Sequence, residues 1–458
     1  MAFSTLSFLF VFLPLTAGCY FVIPNRRWRN SVLLAASLVF YSWGEPRYIL
    51  LMLAASLVAW AGGLAMARLE GAARKAVFAA TVALLTANLA VFKYANLLAD
   101  TACALLGTEN PLPVIALPIG ISFYTFQILS YVIDLYRREI PPQRNFLTLT
   151  LYVSFFPQLI AGPIVRYQTV AGELACRRET LPDAAAGLRR FCVGLGKKVI
   201  LANSIGALAE TVYAGDPAVF GTAAYWLAAV AYALQIFFDF SGYSDMAIGL
   251  GRLFGFHFPE NFNRPYCAVS ITDFWRRWHI SLSSWFRDYI YIPLGGSRTS
   301  RGKWIRNLLI VWGLTGLWHG ASWNFLLWGL YYGLLLLLEK LVLRRVLEKL
   351  PPVCGWVYTC FFVLVGWVLF QLTDFGQLAH ALGVMFRFAP TDWLGAVASD
   401  GQLLLGLVWL PLGVLALLPW NRLRLPLWLR NGLCLALLAL CLILILGSSY
   451  NPFIYFRF

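Results

Sequence analysis

Long stretches of this chain contain no Asp, Glu, Lys or Arg: residues 49–67, 111–133, 146–165, 217–238, 307–338, 351–373, 402–421 and 431–456. A helix needs about 20 apolar residues to cross the ~30 Å hydrocarbon core of a bilayer, and most of these runs reach that length. Further apolar runs at 5–23, 31–44, 76–92 and 199–209 supply additional candidates. The runs are continuous rather than alternating, which argues against a transmembrane β-barrel. The expected fold class is therefore all-α, a polytopic bundle of about eleven membrane segments by the length rule.

Charge content agrees. Only 12% of the 458 residues are charged and 60% are hydrophobic, whereas soluble domains carry about 25% charged residues. A water-facing surface for this length would need the missing charge. The net charge of +15 does not indicate nucleic-acid binding. Arg and Lys concentrate in short connections such as 68–75, 177–190 and 298–306, where they meet anionic headgroups and set topology. The nine cysteines are scattered with no C-x-x-C pair, and they read as small buried hydrophobes rather than disulfides or metal ligands. The first apolar run has no basic residue before Phe3 and is followed by Arg26, Arg27 and Arg29. It reads as a retained span.

With no long linker, low-complexity segment or repeat, residues 1–458 read as one membrane domain. Two features punctuate it. Pro118-Ile119-Gly120, Pro157 and Gly162-Pro163 interrupt apolar sequence, and broken backbone at membrane depth is tolerated where protein or a wet cavity covers it. The stretch 235–306 is unusually polar, with Asp239, Ser241, Ser244, Asp245, Asn261 and Asn263 leading into Asp273-Phe274-Trp275-Arg276-Arg277-Trp278-His279. A continuous helix there would align Trp275, Trp278, Leu282, Trp285 and Tyr289 on one stripe, with Arg276, His279, Ser283 and Arg287 beside it. That pattern suits an interfacial or re-entrant helix.

Of the four histidines, His319 is the only His, Asp, Glu, Lys or Arg between Arg306 and Glu339. Gly313, Gly316 and Gly320 share its surroundings at helical spacing, marking a face that another helix can approach closely. An ionisable residue in such a segment faces protein or water and is a functional candidate. A buried imidazole stays neutral and can take a proton from an attacking alcohol; a structural histidine bonded to a carbonyl is the plainer alternative. Spacing does not choose between acyl transfer and proton-coupled transport. His279, beside Arg276 and Arg277, suggests a phosphate-binding mouth, since guanidinium groups grip phosphate oxygens in a fixed fork. Asp239 and Asp245 are expected to orient partners or pair with these arginines, and His257 and His380 to be structural. No Walker loop or H-E-x-x-H motif is present, so neither an ATP-driven pump nor a zinc protease is supported.

The ordered motifs carry a resemblance. Phe155-Phe156-Pro157-Gln158 with Gly162-Pro163-Ile164, the run from Gln235 through Asp239 to Asp245, Asn261-Phe262-Asn263-Arg264-Pro265-Tyr266, residues 273–296, Leu317-Trp318-His319-Gly320 with Trp323-Asn324-Phe325, and Asn451-Pro452-Phe453-Ile454-Tyr455-Phe456 together resemble the membrane-bound O-acyltransferase superfamily. The similar branch is the bacterial one containing alginate O-acetyltransferase and the D-alanyl-transfer protein of teichoic acid modification. The resemblance is strongest over residues 110–340, the expected catalytic core. It implies an inner-membrane enzyme with His319 as the principal histidine and His279 as the second. Arg276 and Arg277 are candidates for donor phosphates, and Asp239 and Asn324 for orienting the centre. It also implies acetyl-CoA as the acyl donor without a bound cofactor or metal. The implied partners are a periplasmic acetyltransferase, polysaccharide export machinery and membrane lipids, with no nucleic acid. D-alanyl transfer is the alternative within the family.

Overall fold

The computed structural model describes residues 1–216, 218–418, 425–447 and 452–454, and their regular secondary structure is entirely helical. Among the described residues, seven helices are long and apolar enough to cross a membrane: Ile49–Arg68, Gly71–Leu106, Leu181–Ala214, Thr222–Leu253, Trp323–Leu347, Pro352–Gln371 and Leu427–Gly447. Shorter apolar helices lie at Phe8–Val22, Phe375–Phe386 and Leu403–Ala416. The chain is an all-α, polytopic membrane protein. Parts of three charge-free runs and of one motif lie outside the described residues, namely Pro217, 419–421, 448–451, Tyr455 and Phe456.

The chain forms two compact units, Met1–Phe191 with Met246–Pro259, and Cys192–Asp245 with Glu260–Phe458. In the first, α1 (Ile49–Arg68), α2 (Gly71–Leu106) and α3 (Ile121–Tyr136) pack together. The 36 residues of α2 extend about 54 Å at the helical rise, and only Thr81, Leu85 and Lys93 of it are buried. The run 111–133 becomes helical only at Ile121, after Gly120 adopts φ +76°. A Cβ there would lie 3.0 Å from the Leu159 carbonyl oxygen, so glycine is required twice over. Next, α4 (Phe146–Ser154) starts on an Asn145 side-chain cap and gives way to non-helical backbone at Phe155. The following residues through Ile164 are buried. The proline-glycine interruption is thus covered by protein, as the membrane environment demands.

In the second unit, α5 (Leu181–Gly196, entering it at Cys192) passes through a π-helical turn, Lys197–Ala202, into α6 (Asn203–Ala214). It is followed by α7 (Thr222–Leu253, in this unit through Asp245), α8 (Ile271–Arg277), α9 (Ile280–Phe286), α10 (Arg301–His319), α11 (Trp323–Leu338) and α12 (Pro352–Gln371). The charge-free run 307–338 folds as a hairpin, not as one span. Its helices meet backbone to backbone: a Cβ on Gly316 would lie 2.2 Å from the Phe325 carbonyl oxygen, and one on Gly329 2.2 Å from that of Trp312. Rings then key the other helices to this hairpin. Trp275 of α8 lies 4.8 Å from Trp312 of α10 and 4.8 Å from Tyr332 of α11, and Trp278 lies 4.8 Å from Trp367 of α12.

The continuous helix expected through Trp275–Tyr289 is corrected by the structure. It breaks between α8 and α9 at His279, whose φ is +45°. The segment 261–263 inserts at the break: Asn263 N donates to the Arg277 carbonyl at 2.9 Å, and Ile280 N donates to that of Asn261 at 2.9 Å. Side-chain periodicity is blind to such a partner, because the competing hydrogen bonds come from elsewhere in the chain. A non-glycine residue held in this conformation costs roughly 1–3 kcal/mol and persists where its surroundings over-determine it.

The hairpin contact yields a test. Gly316→Ala should destabilise the purified protein by about 1–3 kcal/mol through overpacking against backbone that cannot move aside. Gly432→Ala, where a Cβ meets nothing within 4 Å, should not. Thermal unfolding of both variants in detergent checks the difference.

Candidate active site

His319 ends α10 and is 6% exposed. Its ring is edge-on to Trp318 at 4.9 Å, Trp328 at 4.9 Å and Phe370 at 5.3 Å. His279, 1% exposed, lies 4.6 Å from Phe240 and 5.7 Å from Trp318. One indole therefore borders both histidines, although 40 residues separate them in sequence.

The tautomer of His279 follows from Asn261. The backbone N–H of Ser281 can only donate, and it points at Asn261 Oδ1 (3.3 Å), while Ser281 Oγ donates to the same atom at 2.8 Å. Asn261 Nδ2 meanwhile donates to Ser244 Oγ at 3.1 Å. Oδ1 is thus the acceptor facing His279 Nδ1 at 3.1 Å, and the proton of the neutral imidazole sits on Nδ1. Nε2 carries the lone pair. Burial pushes the His279 pKa down to about 3, because the charged form cannot be solvated there. At neutral pH His279 accepts at Nε2 and has no proton there to give.

A cavity of about 200 Å³ reaches His279. Leu282, Val311, Trp312 and Thr315 form apolar walls, and Arg276, Arg287 and Lys340 bring three cations to its lining. Arg287 is paired with Asp288 at 2.6 Å. Arg276 and Lys340 make no ion pair among the described residues, and Lys340 Nζ lies 5.8 Å from the Trp304 ring. Both polar and aromatic stripes read from the sequence contribute to this wall despite the break between their helices.

The other expected site residues sort differently. Arg277 pairs with Asp273 at 2.9 Å and does not line the cavity. Asp239 does not pair with the arginines: Lys198 Nζ donates to it at 2.6 Å, and Ile454 N donates to its second oxygen at 2.9 Å. Lys198 also donates to the Pro452 carbonyl at 3.0 Å. Asp245 pairs with Lys197 at 2.6 Å. Both aspartates thus belong to ion pairs with the π-helical turn, a correction to their expected arginine partners. Asn324 donates to the carbonyls of Leu369 (3.2 Å) and Leu372 (3.4 Å), tying down the end of α12 from which Phe370 packs on His319. His257 pairs with Glu173 at 2.8 Å in the first unit, and His380 is exposed. Sequence reasoning did not assign roles to Lys198, Glu339 or Lys340. Lys198 left a usable signal, since a lysine at the head of the apolar run 199–209 calls for a buried carboxylate.

A family model described as "MBOAT, membrane-bound O-acyltransferase family" matches residues 120–373. The chain is 42% identical to a probable alginate O-acetylase AlgI of Azotobacter vinelandii, over 88% of this chain and 81% of that one. It is 38% identical to the probable alginate O-acetylase AlgI of Pseudomonas putida over the full length of both. It is also 32% identical to a peptidoglycan O-acetyltransferase of Helicobacter pylori, over 84% and 79% of the two chains. The chain belongs to the membrane-bound O-acyltransferase family. It is an acyltransferase enzyme, multi-pass in the bacterial inner membrane.

The buried neutral imidazole predicts a pH dependence. The folded pKa of His279 lies below its unfolded value, so its contribution to stability is full above about pH 6.5 and is lost as pH falls toward 3. Each unit of that fall costs about 1.4 kcal/mol. Thermal unfolding between pH 7 and 4.5 should show a steeper loss for wild type than for His279→Gln.

Proposed function

We propose that this chain transfers an acetyl group from cytoplasmic acetyl-CoA toward an exported polysaccharide, handing it to a periplasmic acetyltransferase in an alginate-O-acetylation-like system. The observation that carries the reading is the arrangement around Trp318. Two buried histidines border one indole, and a cation-lined apolar cavity reaches one of them. The AlgI-like relatives support the acetyl group and polymer class. D-alanyl transfer to teichoic acid is the alternative, because the same histidine chemistry serves a carrier-protein thioester. The reading treats residues 1–458 as one membrane domain of about eleven segments by the length rule, with 110–340 as the catalytic core.

In this mechanism the donor enters the cavity. Its lining includes Lys340, which leads into the basic stretch 344–349, a charge pattern the positive-inside rule assigns to the cytoplasm. Arg276 and Lys340 receive donor phosphates, and the apolar wall takes the thioester arm. His319 accepts the acceptor hydroxyl's proton as its oxygen attacks the thioester carbonyl carbon. The tetrahedral intermediate collapses by breaking the carbon–sulfur bond, and the proton passes from His319 to the departing thiolate. The lone pair on His279 Nε2 suits it to orienting a reactant by accepting a hydrogen bond, more than to protonating the leaving group. Asn324 holds the aromatic wall of His319, and Asp239 secures the centre through Lys198. An acyl-histidine intermediate is the alternative chemistry at the same residue.

Transfer of labelled acetyl from acetyl-CoA by the purified protein with its acceptor tests the reading. His319→Ala should lower kcat by about 10²–10⁴-fold; transfer surviving that change would overturn the base assignment. D-alanyl label moving while acetyl does not would favour the alternative.

The donor site makes its own prediction. Arg276→Ala and Lys340→Ala should each raise the donor KM about tenfold, the effect of losing one charge-assisted contact. Arg277→Ala should leave it within about twofold, since that arginine is committed to Asp273. Steady-state kinetics with varied acetyl-CoA distinguishes them.

A further inference from the structure

Glu339 is a buried carboxylate, 4% exposed, directly after five leucines, Leu334–Leu338. A carboxylate in such a place costs several kcal/mol unless hydrogen bonds compensate it. Its compensation comes from a different part of the chain. One oxygen accepts from the backbone N–H of Ile271; the other accepts from the N–H of Thr272 at 2.9 Å and from its hydroxyl at 2.6 Å. These donors are the first turn of α8, so a negative group meets the positive end of a helix. Ser270 Oγ accepts from Asp273 N at 3.0 Å and completes the cap.

The two ends of this contact belong to the two histidine-bearing parts of the site. Glu339 stands where α11 widens into a π-helical turn, Glu339–Leu343, an insertion of the kind often found at functional positions. Helix α11 is the partner of α10, which ends in His319. Helix α8 has seven residues, about 10 Å of rise, and delivers His279 at its far end through the strained φ +45° junction. The adjacent residue, Lys340, lines the cavity that reaches His279.

We propose that Glu339 is a positioning residue, a strut that sets His279 against His319 by anchoring the start of α8 to the α10–α11 hairpin. It touches neither reactant. The catalytic half of the inference rests on the acyl-transfer reading above; the structural half does not. Displacing a catalytic group by about 1 Å can cost as much as 10²-fold in rate, so the strut acts on turnover through His279 and on donor affinity only as far as α8 also carries Arg276.

The test uses the full-length protein in detergent with two readouts. Acetyl transfer from acetyl-CoA is measured in Glu339→Ala, Glu339→Gln and Thr272→Val. Modification of His279 by diethylpyrocarbonate is followed by mass spectrometry, with exposed His257 as the internal standard. Glu339→Ala should lower kcat at least about tenfold, with the donor KM raised no more than by Arg276→Ala, since α8 carries that arginine. It should also raise His279 modification several-fold over His257. Glu339→Gln keeps an acceptor oxygen and should recover part of both. Thr272 also lines the cavity, so it is the kcat and His279-reactivity part of the Thr272→Val effect that should be largely absent in the Glu339→Ala background, because there both act through one contact. Wild-type kcat in Glu339→Ala and Glu339→Gln would overturn the strut, as would unchanged His279 reactivity. If Glu339→Ala does not fold, Glu339→Gln and Thr272→Val decide by the same criteria. A wild-type protein that transfers nothing would overturn the acyl-transfer reading, and His279 reactivity would still decide the strut.

Discussion

The backbone contact between α10 and α11 is the constraint on which the rest of the second unit depends. At Gly316 and Gly329 neither helix has room for a methyl group. Association of helices in lipid lacks the usual hydrophobic drive and relies on such close approach. Once the hairpin is closed, the large rings of Trp312, Trp328 and Tyr332 present one surface, against which Trp275 of α8 packs. His319 lies at the turn of the hairpin among rings that α10, α11 and α12 contribute jointly. Its environment is a product of packing and not of its sequence neighbours alone.

Polar groups inside this apolar surround obey a strict accounting. Asn261 serves His279, Ser281 and Ser244 together, and its fixed orientation decides which imidazole nitrogen holds the proton. Lys198 and Asp239 neutralise one another while the backbone of Pro452 and Ile454 takes up further valences. Glu339 is satisfied wholly by the start of α8. Against this background of committed charges, Arg276 and Lys340 differ: both line the cavity without an ion-pair partner among the described residues. That contrast separates groups that hold the site together from groups available to a ligand.

Much of this was legible without coordinates. The charge-free runs announced a polytopic helical protein, and the glycines around His319 announced a close helix neighbour, because both signals are local in the chain. The ordered motifs carried the family. Two readings were modified by folding: the 275–289 stripe breaks at His279, and Asp239 answers to Lys198. Each change involves a hydrogen bond or contact between segments far apart in sequence. Periodicity sums over neighbours on one helix and contains no term for such partners. Lys198 shows the same limit from the other side: an intramembrane lysine can be noticed in the sequence, but its choice of Asp239 over any other acid cannot.

The sequence by itself determined that this chain lies in a membrane, is helical, belongs to an acyltransferase family and depends on few ionisable residues within its apolar segments. Hydropathy, charge scarcity and motif order are properties of the covalent chain, so they survive without knowledge of its path. Only the tertiary structure decided that His279 and His319 share one indole, that Arg276 faces a cavity while Arg277 is spent on Asp273, and that Glu339 accepts hydrogen bonds from the first turn of the helix leading to His279. Those outcomes depend on angles and distances between separate helices, which are set when backbones close to contact and buried polar groups must find partners.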